Sequence, residues 1–125
     1  MGIVKVKPGV LFSVIAPAGF RILAAIDLTA AALGLDLTIT SACDGKHSGP
    51  GDPHHKGEAY DIRTHDLTVV EKVNVLACIM GLLEAGLFFG FLEAAGTTNE
   101  HIHVQRRKGT VYPPVQLEDR TGLVP

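Results

Sequence analysis

Imidazole and carboxylate side chains gather in two short segments of this chain. The first, DPHHKGEAYD from Asp52 to Asp61, places His54 and Asp61 seven positions apart with Gly57 between them; the second is EHIHV, from Glu100 to Val104. Neutral imidazole nitrogen and carboxylate oxygen are zinc ligands, and a catalytic zinc uses three protein ligands and leaves its fourth position to water. His54, Asp61 and His103 can supply that set. Gly57 lets the chain turn back so that the first two aim at one ion, and Ala59, on the strand face of Asp61, leaves room beside it. Glu100 is a candidate general base for a zinc-activated water. His101 and His103 share one face of an extended strand. In a regular strand Glu100 faces away from His103, so its role requires it to lie in the turn that starts near Thr97. Histidine is also common on surfaces, and a His-to-Asp spacing of seven arises by chance, so a structural or solvent-exposed reading stands beside the metal one.

These segments need a scaffold. From Pro17 to Leu33, Phe20, Ile22, Leu23, Ile26, Leu28, Ala31 and Leu33 recur at helical spacing, with Gly34 placed to end the helix. Leu35 to Ala42 alternates as a strand with one buried face. Cys43 to His55 is rich in Gly, Pro, Asp and His without periodicity, and reads as a surface loop crossing one edge of the site. Gly57 to Thr64 reads as a strand with Ala59, Asp61 and Arg63 on one face. Asp66 is placed as N-cap of a helix from Leu67 to about Ala85, apolar around most of its circumference and therefore expected to be largely buried. Strands over Leu87–Leu92 and His101–Arg107, a turn at Gly96–Asn99, and one edge strand within residues 3–14 complete the pattern. The expected class is α+β: a small, mostly antiparallel sheet with two main helices packed on one face and the site on the other. Residues 1–125 form one domain, with 108–125 as an extended C-terminal tail.

Composition excludes several functions. A hydrophobic fraction of 46%, a charged fraction of 19% and a net charge of -2 fit a globular domain without the basic surface of a nucleic-acid binder. Two cysteines, Cys43 and Cys78, are too few and too far apart for a disulfide framework or a thiolate zinc site; both read as free thiols, Cys78 in the core. The apolar stretch from Cys78 to Gly96 is interrupted by Glu84, Glu93 and three glycines, so a membrane span is not expected. The N-terminus has no continuous apolar run followed by a small-residue cleavage site, so a cytoplasmically made protein without a secretory signal is expected.

The order His54, Gly57, Ala59, Asp61, then Glu100 and His103 resembles the pattern S-x-H-x-x-G-x-A-x-D followed by E-x-x-H. That pattern belongs to zinc D-Ala-D-Ala peptidases and related phage endolysin peptidases, whose fold the Hedgehog signalling domain shares. The resemblance covers Thr38 to Val104. It implies one zinc ion on His54, Asp61 and His103, with Glu100 as catalytic base and His101 near the metal, and its glycine register selects His54 over His55. Asp52 stands at the serine position. The arginine that such enzymes carry shortly after the strand ending here in TITSA is missing, and Asp44 lies there instead. Lys46 and Arg63 are the candidates to take over its contact with a substrate carboxylate or developing oxyanion. Ser41 joins His101 among the expected substrate contacts; with no base at motif spacing, neither it nor Cys43 reads as a nucleophile. The implied activity is hydrolysis of short D-amino-acid-containing peptidoglycan peptides by a monomeric zinc peptidase, of carboxypeptidase or L-Ala-D-Glu endopeptidase type, with phage-lysin-like release toward the cell wall. The alternative is a non-catalytic, zinc-stabilised binding domain of the same fold.

Overall fold

The computed structural model describes residues 2–45, 49 and 51–112. Its elements run β1 (Val4–Val6), α1 (Pro17–Leu33), β2 (Leu37–Ser41), β3 (Ala59–Arg63), α2 (Val69–Leu82), β4 (Phe88–Glu93) and β5 (His101–Arg106). The five strands form one sheet in the order β1-β2-β3-β5-β4. β1 pairs with β2 in parallel, and the other three pairings are antiparallel. The class is thus α+β, with a mixed sheet in which the antiparallel part carries both histidine segments. Lys46, and the tail beyond Tyr112, lie outside the described residues.

α1 begins at Pro17, whose fixed φ suits the first helical position, and ends where Gly34 adopts φ 66° and donates its N–H to the carbonyl of Ala30. Its buried stripe is Ala18, Ile22, Ala25, Ile26, Thr29 and Ala30, at the spacing of one helix face. Phe20 and Leu28, expected to pack, are exposed instead. At 3.6 residues per turn they sit about 160° and 120° away from Ile22 around the axis, one to either side of the point opposite it, and the buried alanines Ala18, Ala25 and Ala30 lie on the core side.

α2 starts two residues later than expected. Thr68, not Asp66, is the cap: its hydroxyl accepts the Glu71 N–H while the Glu71 carboxylate accepts the Thr68 N–H, a reciprocal box that satisfies two end donors at once. The helix is also less buried than its composition implied. Val75 and Ile79 are fully buried, whereas Val69, Val70 and Val73 are exposed and Cys78 is only half-buried. Two helices share one sheet face and also touch each other, so a second-layer helix buries a stripe and leaves its outer half in solvent.

The sheet has two different faces because side chains alternate along each strand. Tyr60, Ile62, Phe88, Ile102 and Val104 point into the core with Ile22, Ile26, Val75 and Ile79. Each such side chain contributes about 1.5–3 kcal/mol of burial. The opposite face follows from the register. Asp61 is opposite His103, Arg63 opposite His101 and Ala59 opposite Gln105; across the next pairing, Phe91 is opposite His103 and Glu93 opposite His101. Core packing therefore determines which side chains meet on the open face.

Candidate metal centre

His54 arrives from a tight loop rather than a strand. The Asp52 carboxylate accepts the His54 N–H at 2.9 Å, the carbonyl of His54 accepts the Gly57 N–H at 3.1 Å, and the carbonyl of Pro53 accepts the Glu58 N–H at 2.9 Å. Asp52 is thus a turn former at the place where the resembled motif has serine. Gly57 has φ 70°, and a Cβ there would stand 2.2 Å from the carbonyl oxygen of Val14, so both conformation and space require glycine. Asp61 comes from β3, beside a register shift between Ile39 and Ser41 of β2. His103 comes from β5.

All three side chains are buried, at 4% exposure for His54, 12% for Asp61 and 10% for His103. Asp61 Oδ1 lies 2.9 Å from His103 Nδ1 and 3.3 Å from His54 Nε2. Their nearest ligand atoms all fall within 4.8 Å of one another. Ligands about 2.1 Å from a tetrahedral ion are about 3.4 Å apart, so the trio fits one ion after small adjustments.

Hydrogen bonds behind the cluster fix which nitrogens face it. His54 Nδ1 lies 3.1 Å from the carbonyl oxygen of Ala42, an acceptor, so Nδ1 carries the hydrogen and Nε2 is left toward Asp61. Gln105 donates its amide N–H to the Arg106 carbonyl at 3.0 Å, which orients its Oε1 to accept from His103 Nε2 at 2.8 Å. His103 is then left with Nδ1 toward Asp61. Both imidazoles are oriented as metal ligands are, each with its outer N–H held by an oxygen. The signal for Gln105 in the sequence is its place two residues after His103, on the same strand face.

Burial pulls the Asp61 carboxyl upward, but the His103 and His54 rings beside it outweigh burial and hold the group below the usual carboxylate range. Burial likewise works to lower His103, and is outweighed by Asp61 and Gln105, which leave it raised. A buried carboxylate between two imidazoles is a place for a cation.

Glu100 is not brought to this cluster. It lies in the turn before β5, as its role required, with its N–H on the Thr97 carbonyl at 3.2 Å. Its carboxylate, however, accepts from Lys72 Nζ at 2.6 Å, the Thr64 hydroxyl at 2.8 Å and the Gly96 N–H at 3.0 Å. The Lys72 bond, then the Gly96 and Thr64 bonds, lower its carboxyl to about 2. So held, Glu100 is a weak base and ties the start of β5 to α2. The carboxylate that does face the cluster is Glu93, whose Oε1 lies 3.2 Å from His101 Nε2 and 3.8 Å from His103 Nδ1. Period-two alternation through FFGFLE puts Phe89, Phe91 and Glu93 on the site face.

Of the expected substrate contacts, Arg63 and His101 stand together. They line a polar cavity of about 330 Å³ with Lys7, Thr40, His65, Thr98, Asn99 and Glu100. No ion pair of Arg63 is found among the described residues. Ser41 lies opposite Asp61 at the irregular end of β2. Asp44, at the place of the missing arginine, accepts the N–H groups of Ala42 at 2.9 Å and Leu11 at 3.3 Å and thereby holds the loop. The Phe89 and Phe91 rings stack with centroids 6.0 Å apart, and Phe91 lies 5.5 Å from the His103 ring, forming an apolar wall beside the cluster.

Comparison with protein-family models, curated proteins and solved structures gives no match to this chain. No helix among the described residues is long and apolar enough to cross a membrane.

Proposed function

We propose that the protein is a zinc-dependent hydrolase of short peptidoglycan peptides containing D-amino acids, related in its site to the D-Ala-D-Ala and endolysin peptidases and sharing their Hedgehog-type fold. The observation that carries this reading is the buried His54–Asp61–His103 trio, with both imidazoles turned by outer hydrogen bonds to present nitrogen toward one point. Zinc held there would act as a Lewis acid, polarising a carbonyl and lowering the pKa of a bound water. Around it, the chain's own residues orient a peptide. Arg63 and Lys7 give the adjoining cavity a positive lining suited to a substrate carboxylate, and Phe91 offers an apolar surface on the other side. The substrate would thus lie along the open sheet face, its anionic end toward Arg63. The protein acts as a monomer on cell-wall peptides, reaching them as a phage lysin does.

One observation favours the second reading, a non-catalytic zinc-stabilised binding domain: the carboxylate of Glu100 is committed to Lys72, Thr64 and Gly96. Digestion of defined muropeptides with zinc-loaded protein, followed by mass spectrometry, separates the two. Cleavage that stops with chelator and returns with zinc supports the hydrolase. Zinc-loaded protein that binds muropeptides without cleaving any of them establishes the binding domain.

A further inference from the structure

We propose that the site holds a second divalent cation, bound by His101, Glu93 and the outer oxygen of Asp61, so that the Asp61 carboxylate bridges two metal ions. The proposal rests on the reading of His54, Asp61 and His103 as the first site. Asp61 turns Oδ1 to His54 and His103 and Oδ2 toward His101, whose Nε2 lies 3.6 Å away. Glu93 Oε1 lies 3.2 Å from the same nitrogen. Ligand atoms of Asp61, Glu93 and His101 all fall within 4.8 Å of one another. The spacings of 3.6 and 3.2 Å bracket the roughly 3.4 Å expected between ligands of one ion.

His101 is prepared for this from behind. Its Nδ1 lies 2.6 Å from the carbonyl oxygen of Asn99, which can only accept, so Nδ1 carries the hydrogen and Nε2 remains for a ligand. The sheet register produces the arrangement: Glu93 is opposite His101, which lies two residues from His103 on the same face. Paired metals in hydrolytic sites stand about 3.5–4 Å apart, the separation a bridging carboxylate provides. The second site differs in character from the first. It has two carboxylates and one imidazole, and its His101 and Glu93 side chains are 22% and 47% exposed. An oxygen-richer, more open site suits manganese as well as zinc and binds more weakly than the buried trio.

The test is the metal stoichiometry of untagged, chelator-stripped full-length protein, titrated with zinc and then with manganese and read by calorimetry and elemental analysis. Wild type should bind two ions per chain, the second at least tenfold more weakly. Glu93→Gln and His101→Ala should each bind one ion with the tighter affinity retained. Manganese-loaded wild type should show the electron paramagnetic resonance spectrum of an exchange-coupled pair, and Glu93→Gln that of an isolated ion. One ion in wild type, unchanged by Glu93→Gln, overturns the second site and leaves the first standing. No ion in wild type overturns both. Glu93 is half in solvent, so its glutamine variant keeps the fold, which circular dichroism verifies.

Discussion

Replacing Gln105 by leucine isolates the contribution of a residue that touches no metal. In the native protein Gln105 accepts from His103 Nε2 at 2.8 Å and donates to the Arg106 carbonyl at 3.0 Å, and it is 8% exposed. Leucine fills similar space but removes the acceptor. His103 then keeps a buried N–H without a partner and loses the restraint that turns Nδ1 toward Asp61. Loss of an outer-shell partner of this kind weakens metal binding about 10- to 100-fold, or about 1.4–2.7 kcal/mol. The orphaned N–H adds about 1–3 kcal/mol of destabilisation without metal. Zinc competition against a fluorescent chelator at pH 7.5 gives the affinity, and urea unfolding of metal-free protein gives the stability. Affinity within threefold of wild type together with lowered stability would refute a ligand-orienting role, because Gln105 would then support packing alone.

Other consequences follow from the same contacts. Saturating zinc at 1,000 times its dissociation constant should stabilise the fold by about 4 kcal/mol, so chelation should lower the melting temperature, and an unchanged melting temperature would exclude a bound ion. The Glu100 carboxyl falls from 4.5 unfolded to about 2 folded, so its bonds to Lys72, Gly96 and Thr64 give stability that is fully present above pH 4.5 and lost as pH falls toward 2. Glu100→Gln should remove that component, seen as a flatter acid limb of stability against pH; if Glu100 is only a latch, muropeptide turnover at pH 7 changes less than threefold, whereas a loss of 100-fold or more would make it the catalytic base. Arg63→Ala should raise KM about tenfold or more for a substrate with a free carboxylate and leave an amidated one nearly unaffected, as comparative kinetics would reveal. Ile79→Ala should cost about 2–5 kcal/mol in urea unfolding, because Ile79 is fully buried between the helices and the sheet.

Much of the site was legible in the sequence because its chemistry is local. The glycine between His54 and Asp61 and the two-residue alternation of HIHV specify a turn and a strand face wherever they occur, and the structure brings His54, Asp61 and His103 together. α1 was legible for the same reason, bounded by Pro17 and Gly34. What could not be read was competition between partners distant in sequence. Glu100 satisfied its requirement of lying in a turn, yet Lys72, 28 residues earlier, takes its carboxylate. Glu93 looked like an interruption of an apolar run, and only strand register places it beside His101. The outer half of α2 is apolar and exposed because nothing in Val69, Val70 or Val73 specifies how many layers cover the sheet. Thr68 and Glu71 did carry a capping box, and Asp66 was a competing cap two residues upstream.

The proposed hydrolase requires a metal at the His54–Asp61–His103 trio. Zinc K-edge absorption fine structure on untagged protein loaded with one equivalent of zinc measures that shell directly. The predicted result is two imidazole nitrogens at about 2.0–2.1 Å with carboxylate and water oxygen at about 2.0–2.2 Å, losing one imidazole in His103→Ala. A shell containing sulfur at about 2.3 Å, or one unchanged by His103→Ala, would contradict it.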